Sequence, residues 1–87
     1  MERLVMWHKV TDFDAWKAVY DADAATREGN EMKEVSLRRF TLDPNTFVVE
    51  YEGENLNAKL NGMLSDAAFG AKMKEAGVEK MDFYIYS

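Results

Sequence analysis

The sequence predicts an α+β fold: a split βαβ arrangement with one four-stranded antiparallel sheet and its helices on one face. Three observations carry this. Four short segments rich in β-formers are bounded by turn or cap residues. The stretches between them repeat apolar side chains at helical spacing. The resulting order is strand, helix, strand, strand, helix pair, strand, a βαβ unit repeated across two halves. No linker or low-complexity segment interrupts it, so residues 1–87 read as one domain.

Each element has its own signal. Arg3 to Val10 forms the first strand, with Leu4, Met6 and His8 on one alternation phase and Val5 and Trp7 on the other. Thr11 or Asp12 caps a helix from Phe13 to Glu28, whose stripe Phe13, Trp16, Tyr20, Ala24, Arg27 places a guanidinium in line with the aromatics. Met32 to Leu42 alternates loosely, and Asp43-Pro44-Asn45 turns it into a hairpin with Thr46 to Tyr51. Leu56, Leu60, Met63 and Leu64 mark a second helix starting near Asn55, and Ser65-Asp66 restarts a third, which buries Phe69, Met73 and Ala76 and stops at Gly77. Lys80 to Tyr86 is the last strand, apolar or aromatic on both phases.

Two-sided strands need two covers. Right-handed crossovers place both helical segments on one side of the sheet, so its other face is expected to pack against a second copy. Size agrees, because 87 residues without cysteine have neither disulfide nor thiolate metal site to supplement a small core. The net charge of −5 disfavours nucleic acid and anionic membranes, and the eleven Lys and Arg residues are scattered. No apolar stretch approaches the ~20 residues that span a bilayer, and no secretory signal follows Met1, so a cytoplasmic protein is expected.

His8-Lys9-Val10, Asp12-Phe13-Asp14, Trp16, Arg27 with Gly29, Asp43-Pro44-Asn45 and Met73 with Ala76-Gly77-Val78 together resemble the dimeric α+β barrel superfamily, in particular its antibiotic biosynthesis monooxygenase-like branch. The resemblance spans nearly the whole chain, and its motifs are structural: a helix cap, a turn and a helix stop. It implies ferredoxin-like protomers packed sheet to sheet as a homodimer, each with a ligand cavity between sheet and helices. Activities across such proteins include cofactor-free oxygenation of aromatic polyketides, haem degradation, polyketide cyclisation and lactone isomerisation. The haem-degrading pattern takes a histidine from a later helix, and His8 is the sole histidine here. A first-strand histidine recurs in cyclase-like and stress-responsive relatives, so His8 is the residue that the resemblance carries over.

His8 is the one side chain whose ordinary pKa, about 6.5, suits proton transfer near neutrality. Its competing role is a satisfied core histidine. Arg27 offers planar donors for a carboxylate or enolate, or else pairs within the fold. Trp16, Tyr20, Tyr51, Met63, Phe69 and Met73 are candidate cavity walls that also obey the period of an ordinary core. One histidine, no cysteine, widely spaced glycines and no serine elbow give no metal, dinucleotide or hydrolase signature, so no cofactor is expected. Three functions stay open: cofactor-free monooxygenase or cyclase/isomerase chemistry on a small aromatic or ketide-like ligand, with His8 as base or relay and Arg27 holding an oxyanion; a non-catalytic ligand-binding or stress-associated module in which both are structural; or a structural or protein-interaction role through acidic exterior helices, with no cavity.

Overall fold

A computed structural model describes residues 1–87. The chain runs β1 (Glu2–Val10), α1 (Phe13–Ala22), α2 (Ala24–Gly29), β2 (Lys33–Arg39), β3 (Thr46–Gly53), α3 (Leu56–Leu64), α4 (Ala67–Glu75) and β4 (Val78–Tyr86). The strands form one antiparallel sheet in the order β2-β3-β1-β4. This is the ferredoxin-like arrangement that the element order predicts. No helix is long and apolar enough to cross a membrane.

The phase of β1 fixes what lies inside. Leu4, Met6, His8 and Val10 are buried toward the helices, while Val5 and Trp7 face the other way and are only partly covered. Antiparallel register carries that division across the sheet. Leu4 pairs with Tyr51, Met6 with Val49 and His8 with Phe47 on one side, and Leu4, Met6 and His8 pair with Ile85, Phe83 and Met81 on the other. The buried set then closes under the helices through Leu56 and Leu60 of α3 and through Phe13 and Trp16 of α1. A fully buried Leu or Phe of this kind contributes roughly 1.5–3 kcal/mol.

Two helix starts are capped by their own aspartates. Asp12 accepts from the Ala15 amide and Asp66 from that of Ala68, each at 2.9 Å. The start of α3 differs from the sequence expectation. Asn55 stands in the left-handed region (φ 55°) and makes no side-chain cap; Glu2 of β1 instead accepts from the Leu56 amide at 3.0 Å. Gly77 stops α4 as expected, with φ 77°.

Three further expectations need correction. The predicted helix from Phe13 to Glu28 is two helices with a corner at Asp23, where the Asp23 carboxylate accepts from the Thr26 hydroxyl at 2.7 Å. The strand predicted over Met32 to Leu42 is shorter at both ends, because Met32 tucks into the core while Thr46 and Asn45 hydrogen-bond to Asp43 in the turn. Within α4's run only Ala76 is fully buried; Phe69 and Met73 are partly exposed because they face a cavity rather than the packed core.

Candidate functional site

A cavity of about 70 Å³ lies between the helix-facing side of the sheet and all four helices. Its walls include every sequence-predicted site residue: His8 from β1, Trp16 and Tyr20 from α1, Arg27 from α2, Tyr51 from β3, Met63 from α3, and Phe69 and Met73 from α4. Met6, Met32 and Met81 add three more thioethers, so every methionine except Met1 lines this space. Unbranched thioether side chains adjust their rotamers easily, which makes such a wall adaptable. The enclosed volume is below that of a typical ligand pocket, ~300–1,000 Å³. A ring system larger than a single aromatic nucleus therefore enters only if those methionines move.

His8 lies in the sheet-side wall. Its side chain is 4% exposed, stacked on Phe47 with ring centroids 4.9 Å apart and tilted against Trp16 at 5.4 Å. Nδ1 is buried without a hydrogen-bond partner, and no other side-chain atom in the protein shares that condition. Burial lowers its pKa from 6.5 to about 4, outweighing a smaller upward pull from the nearby Met6 backbone, so the imidazole is neutral at pH 7. A neutral imidazole with unused hydrogen-bonding capacity both accepts and donates a proton. Its low basicity makes it a weak base until an anion forms beside it.

Arg27 does not adjoin His8. Its guanidinium lies over the Tyr20 ring, Cζ 3.6 Å from the centroid, and Nη1 donates to the Tyr20 carbonyl at 2.8 Å. Tyr20 stacks on Trp16 at 4.6 Å, and Trp16 meets His8. The pocket wall is thus a row of flat groups with His8 at one end and Arg27 at the other. The stripe Trp16, Tyr20, Arg27 predicted this row, and the corner at Asp23 does not disrupt it. His8 and Arg27 both line the cavity, with Trp16 and Tyr20 stacked between them.

A second polar line leaves the pocket through tyrosines. Tyr51 donates to the Tyr20 hydroxyl at 2.8 Å, and Tyr20 donates to Glu34 at 2.7 Å. Burial raises the pKa of Tyr51 to about 12 and pushes that of Tyr20 upward too, so both stay protonated donors. Sequence reasoning did not single out Glu34, Asp23 or Lys72. Asp23 and Lys72 line the pocket and form an ion pair. Their signals are present in retrospect, since Asp23 follows Tyr20 by three positions and Lys72 follows Phe69 by three, each on the stripe of a predicted wall residue. No three histidine, aspartate or glutamate side chains gather to hold a metal ion.

No sequence-family model matches the chain, and no curated protein matches it in sequence. Solved structures do match in shape. A NIPSNAP domain protein from Burkholderia xenovorans superimposes with TM-score 0.71 at 9% identity, over 100% of this chain and 93% of its own. The cofactor-independent oxygenase SnoaB from Streptomyces nogalater gives 0.67 at 15% identity, over 99% and 90%. An antibiotic biosynthesis monooxygenase gives 0.60 at 15% identity, over 100% and 97%. At such identities the likeness is one of fold: the chain has the ferredoxin-like βαββαβ architecture found in antibiotic biosynthesis monooxygenase-like and NIPSNAP proteins.

Proposed function

We propose that the cavity binds a small, flat, largely apolar molecule carrying an acidic hydroxyl, a phenol or an enol, and that His8 accepts its proton. The observation that carries this is the buried His8 imidazole with an unpaired nitrogen in the wall of an otherwise methionine-rich and aromatic pocket. An unsatisfied buried polar group costs roughly 1–3 kcal/mol, a cost that a ligand hydroxyl relieves once the adaptable side chains around it shift, since Nδ1 is sealed from the cavity as it stands. Proton transfer leaves an enolate or phenolate beside an imidazolium, and that pairing raises the imidazole's pKa above its ligand-free value. An electron-rich anion of this type is the reactant for cofactor-free oxygenation, and equally for isomerisation or aldol cyclisation. The shared fold with a cofactor-independent oxygenase is compatible with the first of these.

A thermal-shift screen of phenols, quinones and lactones tests binding, followed by oxygen-consumption and spectral assays on each compound that stabilises the protein. The proposal expects a phenolic or enolic binder whose stabilisation disappears in His8→Phe. Binders that act equally on both proteins overturn the role of His8. A second reading, a module that binds without reacting, draws on the engagement of Arg27 with Tyr20, which leaves the reacting end without a fixed oxyanion donor. Under that reading binders appear but no compound is consumed.

We propose also that the open sheet face is covered by a second copy of the chain, in a cytoplasmic homodimer. Val5, Trp7 and Val48 form its apolar centre, and Tyr84 and Tyr86 beside them are 60% and 51% exposed. This apolar centre is ringed on the same face by Arg3, Glu50, Glu52 and Asp82, an apolar middle with a charged rim that suits a two-fold interface.

A further inference from the structure

A cavity of about 70 Å³ takes a ring-sized ligand only if a wall moves, and the four helices that wall it are not held equally. α1 is anchored by Phe13 and Trp16 and α3 by Leu56 and Leu60, all buried. α2 buries no side chain, but it gives the wall only Arg27, which is tied to Tyr20. α4 buries none of its nine residues. Phe69 and Met73 are partly covered, both as cavity walls, and the others are exposed.

The helix is pinned at its ends and loose between them. At the C-terminal end Ala76 is buried, and the Gly77 carbonyl accepts from the Thr11 amide at 2.9 Å. At the other end Ser65 and Asp66 continue from α3, their amides donating to the Asn61 and Met63 carbonyls. Between these points one side-chain hydrogen bond joins α4 to another element, the ion pair of Lys72 with Asp23. A groove runs beside that pair, lined by Ala18, Val19 and Ala22 of α1 and by Lys72 and Glu75 of α4, so the two helices are not closely packed there. Local sequence loosens α4 further. A helix this short is marginal without a buried face, and Gly70 at its middle weakens it again. Nothing lies within 4 Å of where a β-carbon at Gly70 would stand, so no packing demand explains the glycine. Gly62 of α3 is equally unhindered, yet Leu56 and Leu60 hold that helix down.

We infer that α4 is the lid of the pocket: it opens as a unit between Ser65–Asp66 and Gly77, lifts Phe69 and Met73 off the cavity, and is latched shut by the Lys72–Asp23 pair across the groove. This rests on the ligand pocket proposed above, for which it supplies the way in. An exposed ion pair adds little to the stability of a whole fold. For a helix with so few other ties it sets how often the helix opens.

The test needs no ligand. Amide hydrogen exchange is followed at pH 7 in the native chain, in Asp23→Asn, which leaves the sequence of α4 unchanged, and in Gly70→Ala. The amides from Gly70 to Ala76, which bond within the helix, are expected to exchange together and at least about tenfold faster than those of α1 and α3. Asp23→Asn speeds them about threefold by releasing the latch, and Gly70→Ala slows them about fivefold by stiffening the helix, with the α3 amides unchanged in both. A second readout asks whether that opening reaches the cavity. The chain has no cysteine, so Met6→Cys places a single thiol on the sheet side of the cavity, and its labelling by an aromatic disulfide reagent is expected to follow the same order in the three backgrounds. Exchange in α4 no faster than in α1 and α3, or indifferent to both substitutions, overturns the lid, and so does labelling that ignores them. Should Met6→Cys not fold, exchange decides alone. A lid that fails this test leaves the ligand assays of the proposed function standing, and a pocket that binds no phenol leaves the exchange result standing.

Discussion

His8 is a residue whose stability cost and usefulness are one property. Replacing it by phenylalanine keeps the stack on Phe47 and removes the unpaired Nδ1, so His8→Phe is expected to raise stability by about 1–3 kcal/mol, read from urea unfolding at pH 7. A less stable variant would mean that the imidazole is satisfied in solution. The pH dependence has a definite sign. Unfolded, the imidazole takes a proton near pH 6.5, but folded only near 4. Stability is therefore complete above pH 6.5 and falls as pH drops toward 4, by about 3 kcal/mol in all. Carboxylates titrate in part of that range, so the measurement is the difference between native and His8→Phe unfolding free energies, in which the variant's advantage is expected to widen on acidification because only the native chain carries the imidazole loss. The strand phase that puts His8 inside was readable from Leu4-x-Met6-x-His8. Its lack of a partner was not, because hydrogen bonding depends on Phe47 and Trp16, which approach from distant sequence.

Elements whose signals are local were legible, and those set by distant contacts were not. Asp12 and Asp66 cap as their positions suggest, and Gly77 ends α4, because each acts on its own next few residues. The start of α3 depends instead on Glu2, fifty-four positions away. Glu2→Ala is expected to destabilise the fold by about 1 kcal/mol, the usual cost of a lost cap, with faster amide exchange at Leu56; unchanged exchange there would show that water serves equally well. The stripe in the first helical region had a second lesson. Trp16, Tyr20 and Arg27 keep the same face although the helix turns a corner at Asp23, so the pocket row was predictable even where the helix boundary was not. Nothing apolar marks Asp23 or Lys72, so a search for hydrophobic residues passes over their ion pair in the cavity wall. Gly53 closes β3 against a similar long-range constraint: a β-carbon there would stand 3.0 Å from the Glu31 carbonyl and 3.1 Å from Leu56.

The sheet divides the whole molecule into two working faces, one carrying the pocket and one proposed for self-association. Trp7→Glu introduces a carboxylate into the centre of the second face, and light scattering is expected to report twice the chain mass for the native protein and the chain mass for the variant. A native monomer at micromolar concentration would overturn the homodimer. Because the substitution lies on the opposite side of β1 from His8, ligand-induced thermal shifts should survive it if each protomer binds alone. The two tryptophans fall one on each face, Trp16 beside His8 in the pocket wall and Trp7 on the open sheet. The chain thus carries two separate fluorescent reporters. With Trp7 replaced by phenylalanine, indole emission follows occupancy of the cavity and the protonation of the adjacent imidazole. With Trp16 replaced instead, it follows assembly, so ligand binding and self-association become separately visible without any added label.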